Sequence, residues 1–203
     1  IVIYNYLQFE SFSLLLQTNY KRQRMNIFDI AKQNQEKAWQ VIKNTNIIQI
    51  WEDAGAKINL VGSLRTGLLM KHRDIDFHIY SSPLNLTDSF QAMARLAENP
   101  SIKRIECANL LHTAEACIEW HAWYQNEENE LWQMDMIHIR EGSRYDGYFE
   151  KVAQRISEIM TDEIRETILR LKYETPETEK IIGVEYYQAV IRDGVCLLYT
   201  SDA

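Results

Sequence analysis

Residues 73–80 carry the strictest pattern in the chain, an alternation of polar and apolar side chains with a period of two. Asp74, Asp76 and His78 fall on one face, and apolar residues fall on the other. Because successive side chains of a β-strand point to opposite faces, this pattern predicts a strand with one polar face. At about 4 Å, two such carboxylates repel by roughly 4 kcal/mol at an effective dielectric near 20. A shared proton or a divalent cation is the usual reason for such a pair.

The patterns around this strand predict an α+β fold, a mixed sheet of about five strands with packed helices and further helices at the C-terminal end. Only three Pro and seven Gly occur in 203 residues, and no Ser- or Gly-rich linker divides the chain, which favours a single domain. Helical patterns cover about 27–48, 47–53, 88–98, 148–170 and 177–192, and strand patterns cover about 57–61, 73–80, 102–107, 115–124 and 131–139.

Composition excludes several classes of protein. The chain has 22 Lys and Arg against 29 Asp and Glu, a net charge of -7, so it has no overall attraction for nucleic acid or anionic lipid. Three Cys at unrelated spacings argue against a secreted disulfide scaffold and against a zinc knuckle. No apolar run approaches the roughly 18 residues of a membrane helix. We therefore expect a cytoplasmic, reduced protein without a membrane partner.

The two ends of the chain differ from the middle. The first residues lack an initiator Met and place their basic residues after the apolar part, which is the wrong order for a signal peptide. Met25 instead opens a well-patterned segment. The expected division is a non-native or disordered extension (1–24), a domain (25–195, with its core over about 25–140 and a helical region over about 147–193) and an artefactual tail (196–203).

A Gly-Ser pair, Gly62 and Ser63, stands between the predicted strand 57–61 and a short helix. Glycine lets the backbone approach a bound group closely, while outward N–H groups and the Ser hydroxyl can donate to a phosphate. An ordinary turn with a helix N-cap is the alternative interpretation. A carboxylate pair beside such an anion site is the combination that phosphoryl or nucleotidyl transfer requires.

A third acid, Asp135, interrupts the apolar strand pattern of residues 131–139. If that strand lies beside the strand with the acid pair, three carboxylates converge on one side of the sheet. Asp135 would then complete a second metal site or accept the proton of an attacking hydroxyl. The alternative is an edge-strand acid paired with Arg140 or Arg144.

Other side chains are candidates for the walls of a pocket. His78 shares the face of the acid pair, and we expect it to line the pocket rather than to ligate a metal. Glu119 and His121 alternate with apolar residues along the predicted strand 115–124, so they are candidates for an acceptor pocket, with plain exposure as the alternative. Lys71, Arg144 and Lys172 are candidates for offsetting phosphate charge, although surface solvation is the default for each.

Together these motifs resemble the nucleotidyltransferase superfamily with the polymerase-beta-like fold, in particular its small bacterial members. The matching segments are Val61-Gly62-Ser63, Asp74-Ile75-Asp76-Phe77 and Met134-Asp135-Met136. The resemblance implies Mg²⁺ (or Mn²⁺) as the cofactor and a nucleoside triphosphate (NTP) as a substrate. The implied catalytic and metal-ligating residues are Asp74, Asp76 and Asp135. The implied nucleotide-binding residues are Gly62, Ser63 and Arg65. Arg65 is displaced from the position where minimal members carry their basic residue.

The function that follows is transfer of a nucleoside monophosphate (NMP) group from an NTP to a hydroxyl or similar acceptor, with release of pyrophosphate. A small molecule or a protein is the expected acceptor, because a small acidic chain without a basic track is a poor fit to a long nucleic acid. Two alternatives use the same residues: a metal-dependent phosphohydrolase and a non-catalytic nucleotide-binding module.

Overall fold

The computed structural model describes residues 26–176 and 178–195, so the expectations for residues 1–24 and 196–203 lie outside the described residues. None of the helices within the described ranges is long and apolar enough to cross a membrane. In chain order the elements are α1 (Ile27–Thr45), α2 (Ile47–Asp53), β1 (Lys57–Leu60), α3 (Gly62–Arg65), β2 (Asp74–Ser81), α4 (Leu86–Ala97), β3 (Ile102–Asn109), β4 (Cys117–Gln125), β5 (Leu131–Arg140), α5 (Tyr148–Ile159), α6 (Asp162–Glu174) and α7 (Gly183–Tyr187), followed by a π-helical turn at Gln188–Arg192.

The strands form one five-stranded sheet in the order β1-β2-β5-β4-β3. β2 and β5 run parallel, while the other neighbouring pairs are antiparallel. The parallel pairing places Asp76 of β2 directly opposite Asp135 of β5, although 59 positions separate them in the sequence. The predicted α+β class with a mixed sheet of five strands is confirmed.

One face of the sheet packs against α1, α2 and α4 in the main hydrophobic core. Ile75, Phe77 and Ile79 of β2 turn toward this core and are at most 1% exposed. Trp51 of α2 and Trp132 of β5 are buried in the same cluster. Because side chains alternate along a strand, burial of these apolar residues directs the acids of β2 to the opposite face.

A second hydrophobic cluster joins the two ends of the described chain. Ile27 of α1 and Leu68, in the segment after α3, pack there with Ile168 and Leu169 of α6 and with Tyr187 of α7. This cluster fixes the C-terminal helices next to the Gly-Ser turn. It thereby brings α6 and α7 to the polar side of the sheet.

The predictions for the C-terminal helices are wrong in two details. The predicted helix over 148–170 is two helices, because Met160 is extended and Thr161 caps α6 by accepting a hydrogen bond from the N–H of Ile164. Threonine followed by two acids is a helix start signal that outweighs the apolar periodicity across it. The helix predicted over 177–192 begins only at Gly183 and changes to the π-helical turn.

Candidate active site

The acids of β2 and β5 lie on the same face of the sheet. Asp74 and Asp76 alternate with buried residues along β2, and Asp135 is the register partner of Asp76. β5 is flanked by β2 and β4, so Asp135 does not lie on an edge strand. The condition for three converging carboxylates, namely that β5 pairs with β2, is therefore met.

Asp76 is the most strongly perturbed acid of the group. Burial, together with the nearby charges of Asp74 and Asp135, raises the pKa of Asp76 from 3.8 to about 7. Lys172 and the backbone N–H of Ser63 act in the opposite direction. The protein thus holds a carboxylate where its negative charge is unfavourable until a proton or a cation offsets it.

Gly62 brings the backbone into contact with this acid. Its φ is +66°, and a Cβ atom built at this position would lie 1.9 Å from Oδ2 of Asp76. Any side chain would therefore collide with the carboxylate, in addition to the strain of the left-handed backbone. Only glycine fits between the Gly-Ser turn and β2.

Ser63 lies at the centre of a buried cluster of polar side chains, and its partners come from the C-terminal helices. Its Oγ accepts a hydrogen bond of 2.8 Å from Nζ of Lys172 and lies 3.3 Å from the hydroxyl of Tyr187. Lys172 also donates to the carbonyl oxygen of Leu68 at 2.9 Å. Burial lowers the pKa of Lys172 to about 8, against the opposing effect of Asp74 and Asp76.

The surface position expected for Lys172 is therefore wrong, since its exposure is only 5%. Tyr187 was not among the candidates at all. A signal for Lys172 exists in the sequence, because it follows Ile168 by four positions and Leu169 by three, which places all three on one helix face. A lysine on an apolar stripe is a candidate for a buried, paired charge.

These residues surround a cavity of about 800 Å³. One end is formed by the Gly-Ser turn, the acids and the buried lysine. The other end is formed by aromatic and acidic residues from β4, α5 and the loops that precede them. Lining residues that matter for the chemistry are Gly62, Ser63, Asp74, Asp76, Asp135, Lys172 and Tyr187 at the first end, and Glu115, Glu119, Tyr145, Tyr148 and Phe149 at the second.

His78 borders the cavity but is 6% exposed, and its Nδ1 lies 3.5 Å from Oε2 of Glu150. Oε1 of Glu150 accepts hydrogen bonds from the hydroxyl of Tyr80 at 2.9 Å and from the amide of Asn59 at 3.1 Å. Burial raises the pKa of Glu150, but its contacts with His78, Asn59 and Tyr80 outweigh burial and hold the pKa at about 2. This acid ties the start of α5 to the polar face of β2.

Of the remaining residues predicted for the acceptor pocket or for nucleotide binding, one borders the cavity and two lie outside its lining. Glu119 borders the cavity. His121 does not belong to the cavity lining, but its Nδ1 lies 2.5 Å from Oδ1 of Asp135. Arg65 is exposed on α3 and also lies outside the cavity lining. Its role in nucleotide binding stays a prediction without a contact to support it.

Whether the acids suit a divalent cation depends on how close together they lie and on their donor atoms. Within the part of the chain that the structure describes, no group of three or more His, Cys, Asp or Glu side chains is close enough to hold a metal ion. Oδ1 of Asp135 is engaged by His121 and Gln133. Carboxylate oxygens are nevertheless the donors that Mg²⁺ prefers, and a cation would offset the burial and the repulsion that raise the pKa of Asp76. The donor set therefore fits Mg²⁺ in its chemistry.

No protein-family model matches the chain, and no curated protein matches its sequence. Solved structures do match its fold. The structure of the GLD-2/RNP-8 complex has a TM-score of 0.58 at 8% identity, covering 81% of this chain and 58% of that chain. The Cid1 poly(U) polymerase has a TM-score of 0.54 at 12% identity, covering 81% and 53%. A cytoplasmic RNA terminal U-transferase has a TM-score of 0.53 at 10% identity, covering 81% and 50%.

This chain thus spans about half the length of the structures it matches. A structure of the non-canonical poly(A) polymerase complex GLD-2–GLD-3 matches as well, with a TM-score of 0.56 at 7% identity. At such identities the likeness concerns the fold alone. The chain therefore shares the fold of these poly(A) and poly(U) polymerases, which confirms the polymerase-beta-like fold that the motif resemblance implies.

Proposed function

We propose that this protein is a metal-dependent nucleotidyltransferase that moves an NMP group from an NTP to a hydroxyl or similar acceptor on a small molecule or protein. The observation that carries the proposal is the convergence of Asp74, Asp76 and Asp135 with the Gly-Ser turn and the buried Lys172 around one cavity. Poly(A) and poly(U) polymerases with the same fold support the class of reaction.

The end of the cavity near Ser63 suits the phosphates of the nucleotide. The Ser63 hydroxyl and the Lys172 ammonium already form one hydrogen-bonded unit, and both border the cavity. A charge-assisted hydrogen bond from a lysine to a phosphate oxygen is stronger than a neutral one, and burial removes the water that would weaken it. We assign these two side chains, with the backbone at Gly62, to the triphosphate.

The three carboxylates provide the chemistry at the neighbouring position. We assign Asp74, Asp76 and Asp135 as the carboxylates that would close around Mg²⁺ (or Mn²⁺), whose charge would offset that of the triphosphate. The acceptor oxygen forms a bond to the α-phosphorus, the bond from this phosphorus to the bridging oxygen breaks, and pyrophosphate leaves. We assign the acceptor proton to Asp135, because it borders the cavity and lies on the strand next to the acid pair.

The far end of the cavity supports a small-molecule or protein acceptor. Glu115 and Glu119 line it with aromatic rings, and Lys172 is the only Lys or Arg among the described residues that border the cavity. A nucleic-acid backbone would place its phosphates against carboxylates there, and the net charge of -7 adds no attraction. The RNA named for the solved U-transferase is therefore not proposed as the acceptor here.

The proposal is tested first by nucleotide binding. Melting of the full chain is measured with each NTP, with and without Mg²⁺, for the wild type and for Asp74→Asn/Asp76→Asn. A ligand that binds only the folded state stabilises it by about 2.7 kcal/mol at 100 times its Kd, so a site is detectable before the acceptor is known. We expect a shift with at least one Mg-NTP that the double variant loses. Glu127→Gln/Glu179→Gln, which removes two exposed acids outside the cavity, should keep the shift.

The acceptor is then sought with NTP labelled at the α-phosphate. Transfer predicts label on an acceptor and pyrophosphate release that depends on that acceptor. Phosphohydrolysis predicts turnover without any acceptor, and a binding module predicts the melting shift with no product. A folded protein that shows no shift with any NTP would contradict nucleotide binding altogether.

A further inference from the structure

Three side chains form a row across the centre of the sheet. Asp76 pairs with Asp135 in the β2–β5 register, and Asp135 pairs with His121 in the β5–β4 register. The third carboxylate therefore stands between the buried acid on one side and an imidazole on the other. Register alone fixes these neighbours, because three adjacent strands carry them.

Both hydrogen bonds of the Asp135 carboxylate go to the same oxygen. Nδ1 of His121 lies 2.5 Å from Oδ1, and Nε2 of Gln133 donates to Oδ1 at 2.7 Å. Within the described residues, Oδ2 accepts no hydrogen bond from the protein. The carboxylate thus keeps one oxygen bound to the protein and one oxygen available.

We infer that His121 is a positioning residue for the third carboxylate. Together with Gln133 it holds Oδ1 of Asp135 and so leaves Oδ2 for the cavity, where metal and acceptor are proposed to bind. The inference rests on the proposed function, since it concerns how Asp135 performs its role. It assigns to His121 a function different from lining the acceptor pocket.

The physical need for such a residue follows from the aspartate side chain. The terminal torsion of Asp is broad and roughly two-fold, so the backbone of β5 does not fix the plane of the carboxylate. A donor on a neighbouring strand does fix it, because the antiparallel pairing of β4 and β5 holds the two backbones in register. Hydrogen bonds to a ligating carboxylate orient it in this way in metal sites generally.

His121 can act only through Asp135, because it is not among the residues that border the cavity. Its ring lies 6.2 Å from that of Trp123, which packs under the guanidinium of Arg104 on β3. The imidazole therefore has an aromatic neighbour on its own strand in addition to its contact with Asp135.

The test compares variants that remove or keep the donor. His121→Ala removes it, while His121→Asn keeps an N–H near the position of Nδ1. Gln133→Ala removes the second donor, and His112→Ala is the control for loss of an exposed histidine outside the site. The readouts are the Kd of Mn²⁺ in the presence of a non-hydrolysable NTP analogue, the affinity for that analogue, and the melting temperature without ligand.

We expect His121→Ala to weaken Mn²⁺ binding by about 10- to 100-fold, the range typical of partners that orient metal ligands. His121→Asn should recover most of this loss, Gln133→Ala should show a smaller loss, and His112→Ala should show none. Wild-type Mn²⁺ affinity in His121→Ala would overturn the inference. Equal defects in folded His121→Ala and His121→Asn would also overturn it, since the donor would then be irrelevant.

Imidazole NMR separates this inference from the proposed function. We expect the Nδ1 proton of His121 to give a downfield resonance whether or not a nucleotide binds. This resonance should disappear in Asp135→Ala. Absence of that signal in the wild type would overturn the inference on its own. A wild type that shows the signal but binds neither Mn²⁺ nor any NTP would contradict both the proposed function and the role of Asp135 that the inference serves.

Discussion

The side-chain nitrogen of Lys172 donates a hydrogen bond of 2.8 Å to Oγ of Ser63, although 109 positions separate the two residues in the chain. The bond joins α6 to the Gly-Ser turn, and both residues border the cavity. The phosphate end of the candidate site therefore requires a residue from the C-terminal helices as well as the sheet. The helices α1, α2 and α4, which pack on the other face of the sheet, do not by themselves form this end of the site.

Lys172→Met tests this relationship. The substitution keeps most of the apolar stem but removes the ammonium, so a phosphate at Ser63 loses a charge-assisted partner worth about 1.5–3 kcal/mol. We expect the affinity for Mg-NTP, measured by calorimetry, to fall by about 10- to 100-fold. Lys151→Met removes an exposed lysine from α5 and should bind as the wild type does. Unchanged affinity in a folded Lys172→Met protein would show that the lysine only supports the fold.

Gly62→Ala is expected to disable the site through the backbone. Alanine at a positive φ costs roughly 1–2 kcal/mol, and at Gly62 its Cβ would also collide with Oδ2 of Asp76. Gly142 is a matched control, because its φ is +75° and nothing lies within 4 Å of a Cβ there. Urea denaturation should show the backbone cost alone for Gly142→Ala and a larger loss for Gly62→Ala. Equal losses would contradict a close approach between Gly62 and Asp76.

The alternation around Asp74 and Asp76 made the strand and its polar face predictable, because period two is a local property of the sequence. From the sequence, the pairing of β5 with β2 could be stated only as the condition under which the three acids would converge. Nothing in residues 131–139 identifies their neighbour in the sheet. The motif resemblance implied only that Asp135 acts with the acid pair, and the register in the structure is consistent with that.

The partners of Ser63 and Asp135 could not be derived in the same way. Lys172 and Tyr187 reach Ser63 only because a second hydrophobic cluster docks α6 and α7 beside α3, which is a tertiary event. His121 was identified as a residue on the right face of its strand, but its bond to Asp135 depends on a register that alternation leaves open. Local patterns therefore identified the acids better than the groups that bind them.

Asp76→Asn should stabilise the protein in the absence of divalent cations. The pKa of Asp76 is raised from 3.8 to about 7, so the fold favours the protonated acid. The corresponding stability is fully present below pH 3.8 and is lost as the pH rises through 7. At pH 8.5 with EDTA, we expect Asp76→Asn to exceed the wild type by roughly 2–4 kcal/mol in urea denaturation.

The stability that Asp76→Asn gains over the wild type should be much smaller at pH 5, where the wild-type Asp76 is protonated in the folded state. Added Mg²⁺ and NTP should then stabilise the wild type but not Asp76→Asn, because the substitution removes a ligand. A parallel loss of stability in both proteins between pH 5 and pH 8.5 would contradict the burial and repulsion argued for Asp76. Such a result would also weaken the case for a cation at this position.

Glu150→Gln addresses the opposite end of the pH range. The pKa of Glu150 lies at about 2, below its usual 4.5, because the favourable contacts with His78, Asn59 and Tyr80 outweigh burial. Its contribution to stability is therefore present above pH 4.5 and is lost as the pH falls toward 2. We expect Glu150→Gln to be about 1–2 kcal/mol less stable than the wild type at pH 6, a difference that shrinks at pH 3. Glu158→Gln, which removes an exposed acid from the same helix, is the control. A difference for Glu150→Gln that persists unchanged at pH 3 would place the origin of the loss outside this carboxylate.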